Sequence, residues 1–129
     1  MRIGELARAT GTKAETIRYY EREGILPGAD RTGSNYRDYS PDHLATLAFV
    51  RRARELGFSM AQVRQLLALS DHDDKPCEDV DRLVEQQLGD VESKLADLSL
   101  LRDELTDMAR SCKGERIGDC RIVDSLGRR

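Results

Sequence analysis

The sequence predicts a mostly α-helical chain: a compact helical N-terminal half interrupted by one short hairpin, then a single long helix and a short tail. Three observations lead there. Apolar residues recur at helical spacing through most of the 129 residues, and prolines fall only at positions 27, 41 and 76. Charged residues make up 35% and aromatics 5%, with no Trp, which favours long solvated helices over a thick sandwich or barrel. The length suffices for one compact domain, or a small domain with an extended arm, and not for two full-sized cores.

Residues 3–9 form a short amphipathic segment with Ile3, Leu6 and Ala7 on one face, and Thr10-Gly11-Thr12 breaks it as a turn. A second helix follows over residues 13–23, with Ala14, Ile17 and Tyr20 or Glu21 at helical spacing and Gly24 as its stop. Helix, glycine-containing turn and helix make a helix-turn-helix pattern. After Leu26-Pro27 comes a turn-rich stretch, and then Asn35-Tyr36-Arg37-Asp38-Tyr39 alternates as a short strand does. A brief hairpin directly after a helix-turn-helix reads as a wing. Its Arg31, Asn35, Tyr36 and Arg37 are residue types that hydrogen-bond phosphate oxygens.

Ser40-Pro41 opens the next helix as N-cap and first position. It is expected over residues 41–56, burying Leu44, Leu47, Ala48 and Phe49 or Val50 while Arg51, Arg52 and Arg54 face outward. Gly57 ends it, and Ser59 caps a helix over residues 60–69 whose inner face is Val63, Leu66 and Leu67.

Charge divides along the chain. Residues 1–70 hold 11 Lys or Arg against 8 Asp or Glu, a net +3, whereas residues 71–129 hold 10 against 16, a net −6. The basic half is where a phosphate backbone would dock, despite an overall charge of −3.

Residues 71–79, DHDDKPCED, are acidic and proline-broken and read as a hinge. Beyond them Val84, Leu88, Val91, Leu95 and Leu98 step by 4, 3, 4, 3, the seam of a coiled coil, and Leu101, Leu105, Met108 and Cys112 continue the stripe with slight drift. A helix of about 30 residues runs roughly 45 Å. With one apolar stripe it needs a partner, and an antiparallel second copy is the simplest, since no other segment offers a helix of matching length. The organisation is therefore a DNA-binding unit at residues 1–70, a hinge at 71–79, a dimerisation helix at 80–111 and a loop and tail at 112–129.

Three cysteines make a poor disulfide framework. No stretch approaches the roughly 18 apolar residues of a membrane span, and no apolar run of signal-peptide length opens the chain, so a cytoplasmic protein without membrane contact is expected. Thiols or metal ligands are then the better reading. Cys112 and Cys120 enclose a seven-residue loop with two glycines, and such a pair can present two sulfurs to one soft cation. Cys77 lies at the start of the long helix. In an antiparallel dimer it comes beside the partner's tail. The plainer alternative is a small buried hydrophobe, which suits Cys112 on the apolar stripe and not Cys77 or Cys120 in polar surroundings. His43 reads as a packing or solvated residue, and the aspartates near His72 as a solvated charge run.

Five stretches, IGELARATG, ETIRYYEREGIL, NYRDYS, RRARELGFS and the terminal C-x7-C, resemble the MerR transcription regulators in order and spacing over essentially the whole chain. The resemblance implies a winged helix-turn-helix DNA-binding domain followed by a long antiparallel dimerisation helix and a short metal-binding tail. It places Lys13, Arg18, Tyr19 and Tyr20 on the recognition helix in the major groove, Arg31, Asn35, Tyr36 and Arg37 on the wing, and Arg54 on the DNA backbone.

It further implies a homodimer on double-stranded promoter DNA that activates metal-resistance or efflux genes. The dimer distorts an over-long promoter spacer for RNA polymerase when metal binds. Cysteine at position 77 with Cys112 and Cys120 implies a sensor of Hg2+, Cd2+ or Pb2+. The seven-residue loop matches the Cu+, Ag+ or Au+ type instead, and the lack of Cys or His inside the loop disfavours Zn2+.

Two other classes fit less well. An enzyme would need a constellation such as Ser-His-Asp or a phosphate-cradling glycine loop, and neither is present. A metal-binding coiled coil that ignores DNA would leave the wing without a purpose.

Overall fold

The computed structural model describes residues 1–111 and 116–127. Six α-helices and one small hairpin appear among these residues, in two units, 1–83 and 84–129.

In the first unit, α1 (Ile3–Thr10) and α2 (Ala14–Arg22) are joined by a turn at Gly11, whose φ of 64° lies in the left-handed region. Gly24, at φ 75°, follows the end of α2 as the sequence predicts. The hairpin pairs β1 (Asp30–Arg31) with β2 (Arg37–Asp38), with Asp30 opposite Asp38 and Arg31 opposite Arg37. The strand expected from Asn35 to Tyr39 is thus shorter. Asn35 sits at φ 65° in the turn, where its N–H donates to the Thr32 carbonyl at 2.9 Å, and the Thr32 N–H donates to the Tyr36 carbonyl at 2.7 Å, which puts Tyr36 at the base of the loop.

Helix α3 (Pro41–Glu55) and α4 (Met60–Ser70) complete the unit. Ser59 and Gln62 form a reciprocal capping box at the start of α4. At the start of α3 the corresponding residue is His43, whose Nδ1 accepts from the Ser40 N–H at 3.1 Å. That leaves Nε2–H to donate to the Pro27 carbonyl at 2.9 Å. His43 is accordingly buried, in edge-on contact with the Tyr39 ring.

Two apolar clusters hold the unit together. Leu6, Ile17, Leu26, Tyr39 and Leu47 form one; Ile25, Val50, Ala53, Phe58, Val63 and Leu66 form the other. Tyr20 packs against both. On α3 the buried set is His43, Leu47, Val50 and Ala53, whereas Ala48, expected inside, is exposed. The inner face runs through a polar residue at position 43, so its apolar periodicity is misleading.

Helix α5 (Glu78–Ser111) starts in the first unit, where Val80 and Leu83 pack against the second cluster. Its acidic first turn, Glu78, Asp79 and Asp81, complements the helix dipole. In the second unit α5 carries the expected stripe, with Leu88, Leu95, Leu98 and Leu105 all more than half exposed. Leu98, Leu101, Leu105 and Ala109 line a shallow groove of about 410 Å3 along it. After it come a 3-10 turn (Ile117–Asp119) and α6 (Arg121–Ser125). No helix among the described residues is long and apolar enough to cross a membrane.

Candidate nucleic-acid interface and thiolate ligands

Helix α2, the candidate recognition helix, buries Ile17 and leaves Arg18 and Tyr19 exposed, with Lys13 exposed at its N-cap. Lys13 precedes its first turn in an extended conformation, with no side-chain cap on the helix N-terminus. Tyr20, expected among the groove-facing residues, is half-buried between the clusters, so its ring first of all seats α2 on the core.

Beside the helix-turn-helix turn lies an open cleft of about 660 Å3, lined by Gly11, Thr12, Lys13, Thr16, Arg51 and Arg54 among others. Both guanidinium groups are aimed by carbonyls. Arg54 Nη1 donates to the Phe58 carbonyl at 2.9 Å, and Arg51 Nη1 donates to the Thr10 carbonyl at the end of α1. Arg51 also reaches Glu55 at 3.3 Å, and Arg52 reaches it at 3.2 Å. The Arg52 bond first, and the Arg51 bond second, hold the Glu55 carboxyl below its ordinary value. The charged lining is Lys13, Arg51 and Arg54 against one carboxylate, Glu55, which Arg51 already pairs; the net positive rim suits an anionic oxygen such as a backbone phosphate, with Lys13 and Arg54 the cations not paired to Glu55. Helical periodicity points Arg51 outward as a solvated charge. The glycine at position 11, over which its guanidinium lies, is the sequence signal for its inward turn.

The wing brings Arg31, Asn35, Tyr36 and Arg37 onto one hairpin. Arg31 Nη1 donates to the Asn35 carbonyl at 3.2 Å, and the Arg2 guanidinium lies 4.0 Å over the Tyr36 ring. Arg37 meets both Glu21 carboxylate oxygens at 3.4 Å. The Tyr39 hydroxyl donates to the same carboxylate. These bonds raise the Arg37 pKa, the Tyr39 hydrogen bond first and the Glu21 charge second. Asp38 is held below its ordinary value, chiefly by its bond to the Met1 ammonium at 2.8 Å. Sequence reasoning missed Glu21 and Tyr39, because their pairing spans 18 positions and leaves no periodic trace.

This arrangement matches known proteins. Residues 1–70 fit the family described as MerR HTH family regulatory protein, and residues 44–108 fit the family described as MerR, DNA binding. The chain belongs to the MerR family. Among its relatives, an HTH-type transcriptional regulator of Pseudomonas aeruginosa is 41% identical over 126 residues, spanning 98% of this chain and 96% of that one. The mercuric resistance operon regulatory protein of Bacillus cereus is 37% identical, spanning 97% and 96%. In structure the chain is similar to the lead(II) complex of the transcription regulator PbrR691 from Ralstonia metallidurans, with TM-score 0.84, 38% identity, and 98% and 99% of the two chains covered.

Of the three cysteines expected to bind metal in this MerR chain, Cys77 is exposed just before α5 and Cys120 is half-buried as the N-cap residue of α6. Neither forms a disulfide. Cys112 lies outside the described residues. Within one chain, no three His, Cys, Asp or Glu side chains gather as a metal cluster among the described residues. The donor chemistry still fits a soft cation, because thiol sulfur is the ligand such ions prefer.

Proposed function

We propose that this MerR chain is a thiophilic-metal sensor that binds promoter DNA as a homodimer and activates metal-resistance or efflux genes. The carrying observation is the combination, in one chain, of a MerR DNA-binding unit and three cysteines, of which the two described form no disulfide. Two similar proteins, in Bacillus cereus and Ralstonia metallidurans, are by their names or contents a mercuric resistance regulator and a lead(II) complex, which supports a divalent soft ion here.

In this reading Lys13, Arg18 and Tyr19 meet the major groove, with Tyr20 seating their helix. Arg31, Asn35, Tyr36 and Arg37 hold the flanking backbone, and Arg54 binds phosphate from the cleft. The exposed stripe of α5 pairs with its copy in a second chain. Cys77 of one protomer, with Cys112 and Cys120 of its partner, supplies three thiolates. When bound there, Hg2+, Cd2+ or Pb2+ supplies a cross-link between the two chains. Such a cross-link would bias the relative setting of the two DNA-binding units, and with it the shape of the promoter offered to RNA polymerase. Smooth bending of such a site costs about 1–6 kcal/mol, within reach of a metal-thiolate cross-link.

A second reading rests on the seven residues between Cys112 and Cys120. Two thiolates closing so short a loop suit linear coordination of Cu+, with Cys77 dispensable.

The test is a titration of the purified dimer with Hg2+ and with Cu+, following thiolate-to-metal absorption in wild type, Cys77→Ser, Cys112→Ser and Cys120→Ser. Three-thiolate binding makes every substitution weaken Hg2+ binding and change its spectrum. An unchanged Hg2+ spectrum in Cys77→Ser moves the assignment to the two-cysteine reading.

A further inference from the structure

The wing has little of its own to hold it. Its ladder is two residues long on each side, and isolated two-stranded hairpins are marginal in water even when longer. The register also sets like charges opposite each other, Arg31 against Arg37 and Asp30 against Asp38, an arrangement that destabilises a strand pair. Something outside the hairpin must therefore offset this, and the strongest tie runs to the recognition helix.

That tie is Glu21. Its side chain is only 10% exposed, on the α2 helix that also carries Arg18 and Tyr19. One carboxylate oxygen accepts from the hydroxyl of Tyr39, which is 2% exposed in the core just past β2. Both oxygens meet Arg37 at 3.4 Å, which relieves the Arg31–Arg37 repulsion. The remaining ties run elsewhere: Met1 pairs with Asp38 and exchanges two backbone hydrogen bonds with Tyr39, at 2.7 and 2.8 Å, and Arg2 lies over the exposed Tyr36 ring, so these hold the hairpin to the N-terminal segment and not to α2.

We propose that Glu21 is a positioning residue for DNA binding: it locks the wing to the recognition helix so that both engage one duplex in a fixed relation. This rests on the DNA-binding reading above. It also makes an unusual claim about sign. A carboxylate beside a phosphate-binding surface repels DNA, so removing a mere surface charge would tighten binding. If Glu21 is the lock, removing it loosens the wing and binding weakens.

The experiment measures anisotropy of two labelled duplexes, the promoter region upstream of the protein's own gene and a scrambled control, with the full-length dimer over a range of salt. Glu21→Ala should bind the promoter about tenfold more weakly, the factor expected for loss of a hydrogen bond to a charged group, and discriminate less against the scrambled duplex. Its salt dependence should become shallower, by about 0.9 in slope for each phosphate that the loosened wing no longer neutralises.

Glu21→Gln keeps an acceptor for Tyr39 and should recover part of the affinity. Tyr39→Phe leaves the ring in the core and should weaken promoter binding with no change in charge. Combined with Glu21→Ala it should add little, since both cut the same lock. These two milder variants carry the test if Glu21→Ala fails to fold.

Promoter affinity unchanged or tighter in Glu21→Ala or Glu21→Gln, with steeper salt dependence, overturns the proposal alone. A wild type that cannot distinguish the promoter from the scrambled duplex overturns the DNA-binding reading and the proposal with it.

Discussion

Replacing Gly11 with alanine tests how the helix-turn-helix turn is built. At φ 64° an L-residue costs about 1 kcal/mol or somewhat more. The added Cβ would also stand 2.9 Å from Arg51 Cζ and closer still to Nη1, so the guanidinium must leave the Thr10 carbonyl it bonds. A hydrogen bond to a charged group contributes about 1.5–3 kcal/mol, and the lower end applies because Arg51 is 52% exposed. Together the substitution should destabilise the protein by roughly 2–3 kcal/mol, which for a unit of this size lowers the melting temperature on the order of 10 °C.

Gly24→Ala is the control. Its φ is 75° and no atom lies within 4 Å of the new Cβ, so only the conformational cost of about 1 kcal/mol applies. The assay is thermal unfolding by circular dichroism. In an Arg51→Ala background, Gly11→Ala should fall to the Gly24→Ala cost. Equal losses for Gly11→Ala and Gly24→Ala in the wild-type background would refute the Arg51 contact.

Three further outcomes are expected. His43→Gln keeps the bond to the Ser40 N–H and loses the Pro27 carbonyl, costing about 1 kcal/mol, whereas His43→Ala loses both and should cost about 2–3 kcal/mol in urea unfolding; equal costs would show that the Pro27 bridge and the cap are not separable. Leu95→Asp places a charge in the α5 stripe and should cost several kcal/mol of dimer stability; an unchanged dimer by sedimentation would remove Leu95 from the seam. Burial first, and the bond to Glu21 second, hold the Tyr39 phenol above its ordinary value of 10.0. The folded state therefore keeps that proton more tightly, a contribution present below about pH 10 and lost as pH rises through the folded value. In an ultraviolet titration the wild type minus Tyr39→Phe difference should ionise above the ordinary phenol value, and a difference titrating at about pH 10 would contradict the burial.

Much of the fold was legible because its signals are local. Gly11, Gly24 and Gly57 stop helices where left-handed φ is needed, Ser40 and Ser59 precede α3 and α4, and the leucine stripe of α5 repeats with a fixed period. What was hidden depends on partners distant in sequence. Ala48, expected inside, is exposed, and of the two readings open for His43 the packing one holds because its ring finds partners at Ser40 and Pro27, the second of which nothing in its neighbourhood announces. Of the candidate interface, sequence supplies the residue types on the hairpin and on α2 as a proposal, and it carries no trace of the bonds that orient side chains there, Glu21 to Arg37 and Tyr39, Arg51 to Thr10 and Arg54 to Phe58. Tyr20, which the resemblance puts on the groove-facing helix, is half-buried between two apolar clusters, a packing role that its spacing with Ala14 and Ile17 already suggests.

The most direct test of metal sensing through three thiolates is transcription itself. A reporter driven by the promoter upstream of the protein's own gene, with the protein supplied in wild-type and Cys77→Ser forms, is dosed with Hg2+, Cd2+, Pb2+, Zn2+ and Cu+. Wild type should respond to one or more of mercury, cadmium and lead, and Cys77→Ser should lose that response. A wild type that responds best to Cu+, with Cys77→Ser responding equally well, would contradict the three-thiolate site, and a reporter indifferent to every metal would contradict metal sensing altogether.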